Sequence, residues 1–251
     1  MTSARHHQYR AMFRRFLLAA VASSPLLMFA GIAEAAEPSV APVVLSMRAD
    51  SQAGKLGTAL LTEAYRRIGF IIEVRGFPGT RAIVEANRGN TDGEVVRLKR
   101  VLKDYRNLLI IPEPLMYVET TVASKDKTVR VDGWETVNRY PATTVRGYKS
   151  IERRLNGPEK FIANSIQSAL KMLQYDRVKI LVLSNLDLQI ALKDPAFSDI
   201  FVIQPPISRV PLYHLLHKSR EPLVSRLSAV LKAMKSDGTH DRIVADYIKE
   251  N

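Results

Sequence analysis

Cysteine is absent from all 251 residues of the chain, and this absence narrows what the protein can be. Without cysteine there are no disulfides, so the hydrophobic core alone must stabilise the fold, even in an oxidising compartment. A thiol nucleophile and a lipoprotein anchor, both of which need cysteine, are excluded for the same reason. A chain of this length is long enough to bury a core that can hold it folded.

Catalytic signatures are missing as well. The sequence has no G-x-S-x-G nucleophile elbow, no H-E-x-x-H zinc motif and no glycine-rich loop that would hold a phosphate. His214 and His217 are three residues apart, but on the strand predicted there they would point to opposite faces, which disfavours a shared metal ion. We therefore predict no catalytic residues, no metal site and no cofactor.

The first 35 residues contain the three blocks of a secretory signal peptide. A basic segment that ends in Arg14 and Arg15 precedes an apolar run, and Ala33-Glu34-Ala35 supplies the small residues of a cleavage site. The alternative is a membrane anchor, but the apolar run is interrupted and short for a spanning helix. We predict that residues 1–35 are removed and that the mature protein is periplasmic, with the export route, general or twin-arginine, left open.

Basic residues outnumber acidic ones, with 37 lysines and arginines against 25 aspartates and glutamates. Removal of the predicted signal peptide leaves a net charge of about +9. This excess favours anionic ligands or surfaces without choosing among them. Nucleic acid is a poor partner for an exported chain, and the basic stretch 97–106 is typical of a solvated face, so we predict no nucleic-acid partner.

Short β-rich runs alternate with helical patterns, which is typical of a parallel sheet covered by helices. Helix signals lie between the runs, with Thr80 as a predicted N-cap and Gly69 and Gly89 as predicted helix ends. The predicted strands, in chain order, are residues 43–47, 71–75, 93–97, 142–146, 179–183 and 200–204.

Two extended segments, residues 114–125 and 209–218, connect the two halves of this pattern. Two crossings imply two lobes with a hinge between them. We predict that lobe 1 consists of residues 36–117 and 213–251, and that lobe 2 consists of residues 118–212.

The chain ends in two predicted helices separated by a stop at Gly238. Leu223, Leu227, Leu231 and neighbouring apolar residues mark one face of the first helix, so we expect the C-terminus to pack back on lobe 1. The predicted fold class is α/β, with a mainly parallel sheet flanked by helices in each lobe.

Three segments carry a resemblance to a known family: LLTEAYRRIGFIIEV, FPGTRAIVEANRGNTDGE and KSREPLVSRLSAVLKAMKSDGTHDRIVADY. The chain resembles the extracytoplasmic solute-binding proteins of bacterial family 3, which serve polar amino acid transporters. The resemblance implies a two-lobed, type II periplasmic binding-protein fold that closes on a small solute and presents it to a membrane partner. It covers nearly all of the chain after the predicted signal peptide.

The turn from Phe77 to Arg81 is the first predicted part of a ligand site. In an α/β sheet, ligands lie beyond the carboxyl ends of the strands. Phe77 would supply an apolar wall and Arg81 a bidentate contact to a carboxylate or phosphate, although Arg81 could instead pair with Glu85 on its own helix.

The acidic turn that follows is predicted to bring Glu94 and Arg97 into the same cleft, so that the cleft offers both signs of charge. A zwitterionic solute would suit this arrangement. Glu94 could receive a ligand ammonium, or it could form an ion pair with Arg97 within the lobe; the second reading is favoured.

Lobe 2 supplies the counterpart of the first turn, with Arg146 and Tyr148 between a predicted strand and a helical segment. Tyr117, on a crossing segment, would stack on a solute or pack in the hinge. Asn185 and Asp187 could reach the cleft, but a helix-capping role is favoured for them.

The sequence therefore predicts a monomeric solute-binding protein for a small, anionic or zwitterionic, amino acid-like solute. Its predicted partner is a membrane permease. Two alternatives stay open: a sensing module for a receptor kinase or cyclase, and an extracytoplasmic enzyme on the same scaffold.

Overall fold

The computed structural model describes residues 41–49 and 51–251, and the predicted signal peptide lies outside them. Nine strands form one sheet in which two long strands connect two sets of parallel strands. Within the described part of the chain, no helix is long and apolar enough to cross a membrane.

The first set of strands lies in the order β2 (Ile72–Phe77), β1 (Val43–Arg48), β3 (Gly93–Leu98), and both neighbouring pairs are parallel. Ser51 caps the first helix by accepting a hydrogen bond from the Gly54 N–H at 3.0 Å, and the chain leaves this helix through Gly69 at φ +81°. The elements of lobe 1 are β1 (Val43–Arg48), α1 (Gln52–Arg67), β2 (Ile72–Phe77), α2 (Arg81–Asn87), β3 (Gly93–Leu98) and β4 (Leu108–Ile110).

Gly93 begins β3 where another strand passes very close. A Cβ atom at this position would lie 2.3 Å from the carbonyl oxygen of Leu215, so only glycine fits. The preceding Asp92 accepts hydrogen bonds from the Val44 N–H at 2.8 Å and from Arg220 at 2.7 Å. Asp92 and Gly93 are therefore structural, and they occupy the start of β3, opposite its carboxyl end.

The two lobes are connected by two antiparallel strands, β5 (Met116–Ser124) and β9 (Phe201–His217). The sequence pattern predicted a strand at residues 200–204 and a separate crossing segment at 209–218, and this division is wrong. Pairing with β5 continues from Leu212 to Phe201, with one irregularity, and holds β9 together as a single strand of 17 residues. The predicted lobe boundaries fall within these strands and stay a prediction.

Lobe 2 repeats the parallel arrangement, with the strand order β8 (Ile180–Ser184), β6 (Ala142–Val145), β7 (Lys160–Ala163). Its core contains Leu170, Leu173, Leu181 and Leu183, which lie on the predicted helix and strand. The elements are α3 (Trp134–Val137), β6 (Ala142–Val145), α4 (Lys149–Arg154), β7 (Lys160–Ala163), α5 (Ile166–Gln174), β8 (Ile180–Ser184) and α6 (Asn185–Ala191).

The last two helices are α7 (Val224–Ser236) and α8 (Thr239–Glu250), separated by Gly238 at φ +76°. Leu227 and Leu231 are buried in the same core as Leu60 and Leu61 of α1. The prediction that the C-terminus packs on lobe 1 is confirmed.

Candidate ligand-binding cleft

The carboxyl ends of three lobe 1 strands meet at one edge of the sheet. Arg48, the last residue of β1, is in register with Phe77, the last residue of β2. The guanidinium of Arg97 reaches the turn after β2, with Nη2 3.4 Å from the carbonyl oxygen of Gly79. Arg48 and Arg97 therefore place two cations at the edge where α/β sheets bind ligands.

Glu94 lies inside this sheet rather than in an exposed turn, because β3 already begins at Gly93. Its side chain is 1% exposed, and its Oε1 atom accepts a hydrogen bond from Arg97 Nε at 2.6 Å. The ion pair within the lobe is thus present. Burial raises the pKa of Glu94 to about 7, and Oε2 has no hydrogen-bond partner among the described residues.

The buried His214 lies against the backbone of Glu94, and this contact was not predicted from the sequence. His214 Nδ1 is 2.8 Å from the Glu94 carbonyl oxygen, and Nε2 is 2.9 Å from the Tyr65 hydroxyl. Because a carbonyl only accepts, Nδ1 carries the proton and Nε2 accepts from Tyr65. Burial lowers the pKa of His214 to about 4, so the ring is neutral. His217 is engaged separately, by Ser219 at 2.8 Å.

Arg81 forms an ion pair with Glu85 on its own helix, which was the predicted alternative to a ligand contact. Its Nε is 3.4 Å from Glu85 Oε1, and its side chain is 67% exposed. Thr80 occupies the N-cap position of α2, as predicted, but its side chain makes no capping hydrogen bond. The predicted ligand contacts of Phe77, which is half-buried, and of Arg81 stay predictions.

The corresponding edge of lobe 2 is formed where β6 and β7 end. Arg146 is exposed and donates from Nε to Asn164 Oδ1 at 3.3 Å. Gly147 has φ +101°, a left-handed conformation that glycine adopts easily, and its N–H donates to Glu152 at 2.6 Å. This turn directs the chain into α4 and leaves the arginine at the carboxyl end of β6.

Asp187 and Tyr148 connect this edge with lobe 1. Burial raises the pKa of Asp187, against interactions with the Tyr148 hydroxyl and Ser184 that lower it. Burial also raises the pKa of Tyr148. The charge of Arg48 lowers both pKa values, so this lobe 1 cation acts electrostatically on both lobe 2 groups without forming an ion pair with Asp187.

The capping role favoured for Asn185 and Asp187 is wrong in position, because Ser184 is the N-cap of α6. Asp187 lies in the first turn of this helix, where its carboxylate meets Tyr148 instead of a free backbone N–H. Asn185 donates to Glu119 on β5 at 3.1 Å. The electrostatic effect of Arg48 on Asp187 depends on how the lobes face each other, so no local sequence signal could have indicated it.

Tyr117 lies on the connecting strand β5 and is 40% exposed. The guanidinium carbon of Arg209 is 3.6 Å from the centre of its ring, and Arg209 also pairs with Glu119 at 3.2 Å. One face of the tyrosine is therefore covered by a cation. Its stacking on a solute stays a prediction.

In lobe 1, Arg97 thus pairs directly with Glu94, and the positive charge of Arg48 lowers the pKa values of Glu94, Tyr148 and Asp187 without an ion pair to either carboxylate. Among the described residues, no group of three histidine, aspartate or glutamate side chains could hold a metal ion.

Comparison with known proteins gives no match to a protein-family model. A protein of unassigned function from Shewanella oneidensis is 26% identical over 196 residues, which cover 75% of this chain and 74% of that protein.

Solved structures match most of the chain at low sequence identity. An ancestral cationic amino acid solute-binding protein has a TM-score of 0.63 at 17% identity and covers 82% of this chain and 95% of its own. A histidine kinase sensor domain with similarity to periplasmic binding proteins has a TM-score of 0.57 at 15% identity, covering 82% and 96%.

A third solved structure is the substrate-binding protein of an amino acid ABC transporter. It has a TM-score of 0.54 at 15% identity and covers 82% of this chain and 99% of its own. The resemblance noted from the sequence is confirmed at the level of the fold: the chain has the two-lobed α/β fold of the type II periplasmic binding proteins.

Proposed function

We propose that the protein is an extracytoplasmic binding module that closes its two lobes on a small zwitterionic or anionic solute of amino acid type. The observation that carries this proposal is that Arg48 and Arg97 of lobe 1 and Arg146 of lobe 2 lie at the carboxyl ends of parallel strands. The charge of Arg48 also acts on Asp187 and Tyr148 of lobe 2. Side chains of both charges from both lobes then surround the edge at which the fold binds ligands.

The chemistry of the cleft suits a carboxylate together with an ammonium group. Arg48 has no ion-pair partner among the described residues, and Arg97 uses its Nε for Glu94. Their remaining N–H groups would bind the solute carboxylate through charge-assisted hydrogen bonds, with Arg146 as the lobe 2 donor. Asp187 would accept from the ammonium, and Glu94 would do so through Oε2 if lobe opening exposes it.

The remaining predicted contacts frame this charged centre. Phe77 and Tyr148 would enclose the hydrocarbon part of the solute, Arg81 would extend the positive edge beyond the Gly79 turn, and Tyr117 would contact the solute from the connecting strands. A closed cleft strengthens each polar contact because water is excluded from it.

We propose binding without chemical turnover, delivery to a membrane permease and action as a monomer. The basis is the fold shared with binding proteins and the absence of the catalytic motifs searched for in the sequence. The second candidate, ligand sensing for a membrane receptor, is supported by the match to a histidine kinase sensor domain. Both roles place the module outside the cytoplasm, after removal of residues 1–35.

Export is tested by N-terminal sequencing of the protein recovered from the periplasm. A mature chain that begins near residue 36 supports the proposed location. A chain that retains Arg14 and the apolar run contradicts it.

Binding is tested by a thermal-shift screen of amino acids, small carboxylates and short peptides, followed by calorimetric titration of the strongest hit. A ligand at a hundredfold excess over its dissociation constant stabilises the folded protein by about 2.7 kcal/mol, which produces a clear shift. A ligand recovered unchanged at one-to-one stoichiometry supports binding without turnover. A screen without any shift or compaction in solution scattering contradicts the proposal.

The residues are tested with Arg48→Ala, Asp187→Asn and a matched control. Removal of one partner of a charge pair that the closed cleft buries weakens affinity by about 2 to 5 kcal/mol, so both variants should bind at least about thirtyfold less tightly. Arg75→Ala is the control, because Arg75 lies on the neighbouring strand β2 and pairs with Glu73 in solvent at 2.7 Å. If all three variants bind the solute with equal affinity, the binding site does not lie in this cleft.

A further inference from the structure

A second cavity lies beside the connecting strands, and none of the side chains assigned to the charged cleft lines it. The volume of this second cavity is about 370 Å³, and Leu98, Val118, Val210 and Trp134 are among the residues that border it. Residues from lobe 1, from lobe 2 and from both connecting strands contribute to its wall.

We call this cavity of 370 Å³ the hinge cavity. It is separate from the cavity of 430 Å³ next to Asp187, and the two have no lining residue in common.

The wall of the hinge cavity is mainly hydrocarbon, with cations around it. Lys99, Arg100 and Arg154 are exposed and line it, and no aspartate or glutamate does. None of these three cations forms an ion pair with another described residue. The guanidinium carbon of Arg154 is 5.6 Å from the centre of the Trp134 ring, so one cation is already placed over an aromatic face.

We propose that the hinge cavity is a second binding site, for a compact aromatic anion. Its volume falls within the range of small-ligand sites and accommodates one or two rings with an anionic group. The apolar wall would bury the ring against Val118 and Val210, and the unpaired cations would bind the carboxylate, sulfonate or phosphonate group. The site goes beyond the proposed function, because the charged cleft presents both signs of charge to its solute, whereas this cavity presents only cations.

The position of the cavity gives the site a consequence for lobe movement. Leu98 and Arg100 belong to lobe 1, Trp134 and Arg154 belong to lobe 2, and a ligand that contacts both would stabilise one arrangement of the lobes. A bound anion would then change the affinity of the charged cleft for its own solute, and the solute would change the affinity for the anion by the same factor.

The chain carries its own reporter for this site, because Trp134 is its only tryptophan. The probe is 1-anilinonaphthalene-8-sulfonate, an aromatic sulfonate that accepts energy from a nearby indole. We expect saturable quenching of Trp134 fluorescence at one-to-one stoichiometry. Phenylphosphonate should displace the probe, whereas benzyl alcohol, which has a ring but no charge, should not.

Arg154→Ala and Arg153→Ala form the matched pair of variants. Both arginines are exposed on α4, but only Arg154 lines the cavity. We expect Arg154→Ala to weaken probe binding by about tenfold or more, the loss of one charge-assisted contact, and Arg153→Ala to stay within about twofold. Equal effects of the two changes would overturn the proposal, because the probe would then respond only to net charge.

Val210→Trp tests the cavity by filling it with an indole ring. Probe binding to this variant is measured from the increase in the probe's own emission, because the new indole would interfere with the Trp134 signal. A folded variant that binds the probe as tightly as the parent would overturn the proposal, and circular dichroism establishes folding. Arg48→Ala separates the two sites: probe affinity should stay within about twofold, while amino acid binding falls. A failed amino acid screen would contradict the proposed function and leave this test intact.

Discussion

Two ion pairs in lobe 1 have nearly the same spacing along the chain and very different surroundings. Arg81 and Glu85 are four residues apart on α2, with 3.4 Å between their charged atoms, and the arginine side chain is 67% exposed. Glu94 and Arg97 are three residues apart on β3, with 2.6 Å between them, and are 1% and 20% exposed. Spacing alone makes both pairs possible, but burial determines how much each one contributes.

The physical reason is the solvent. At the surface, water screens the attraction and solvates either partner when the other is removed, so a pair contributes little. In the interior, a carboxylate that loses its cation has no water to replace it. The raised pKa of Glu94, caused first by burial and opposed by Arg97, shows this competition within one side chain.

The largest expected effect comes from breaking the buried pair. Arg97→Ala leaves Glu94 buried without a cation, and we expect the free energy of unfolding to fall by about 3 to 4 kcal/mol at a pH near 10. Keeping the carboxyl group neutral there costs about 1.4 kcal/mol for each pH unit above its pKa of about 7. Near pH 5 the loss should be smaller, because the carboxyl group is then protonated. Urea denaturation at both pH values measures the effect. A loss below about 1 kcal/mol at both would contradict the interior position of the pair.

The second effect is the pH dependence of the free energy of unfolding that the buried Glu94 causes. The pKa of Glu94 is raised to about 7 from 4.5, so between these values the folded protein keeps a proton that the unfolded chain releases. Stability from this group is therefore present at low pH and lost as pH rises through this window. Glu94→Gln removes the loss, so the variant should gain about 3 kcal/mol relative to the parent from about pH 4.5 to pH 7.5.

His214 acts in the opposite direction over nearly the same window. Its pKa is lowered to about 4 from 6.5, so the unfolded chain binds the extra proton and stability rises with pH. The two contributions oppose each other in the parent, and the rising one should emerge in Glu94→Gln. The control is Glu73→Gln, because Glu73 is an exposed partner of Arg75 and its pair in solvent should contribute less than about 1 kcal/mol. A pH-independent difference for Glu94→Gln would mean that its carboxyl group is ionised throughout.

A smaller effect concerns the hydrogen bond beneath the buried pair. Tyr65→Phe removes the hydroxyl that donates to His214 at 2.9 Å and leaves the ring packed in the core. We expect the free energy of unfolding to fall by about 1 to 2 kcal/mol, the loss of one buried hydrogen bond. Urea denaturation provides the value. An unchanged protein would show that the histidine finds another donor.

The smallest effect comes from the exposed pair. Arg81→Ala should lower the melting temperature by about 1 °C, because a helix pair in solvent contributes only a few tenths of a kcal/mol. Differential scanning calorimetry measures the shift. If Arg81 also contacts the solute, as predicted from the sequence, affinity will fall while the melting temperature of the free protein hardly changes.

Much of the fold could be predicted because its elements carry strong local patterns. The strand at 43–47 and the helices around Leu60 and Leu227 were recognisable from the spacing of their apolar residues, and Gly69 and Gly238 from the conformations that end helices. Two short strands, β4 and β7, were missed. A strand of three or four residues has too few positions for an alternating pattern, and its pairing partners define it.

The candidate site was less predictable, because its geometry combines distant segments. The turn at Phe77 and the turn at Arg146 were identified from their places after strands. The acidic turn was assigned to the cleft, but Asp92 lies at the other end of β3, where it holds Arg220 at 2.7 Å. The electrostatic effect of Arg48 on Asp187 was not predicted, because these residues are 139 positions apart along the chain.

The sequence by itself determined the alternation of strands and helices, the ends of the long helices and the excess of positive charge, because periodicity, glycine conformation and composition act locally or as sums. The tertiary structure alone decided which charges are buried, which cation lies beside which carboxylate, and that β9 is one strand rather than two. Burial and distance are relations between segments, and the pKa values of Glu94 and His214 follow from them rather than from the residue types.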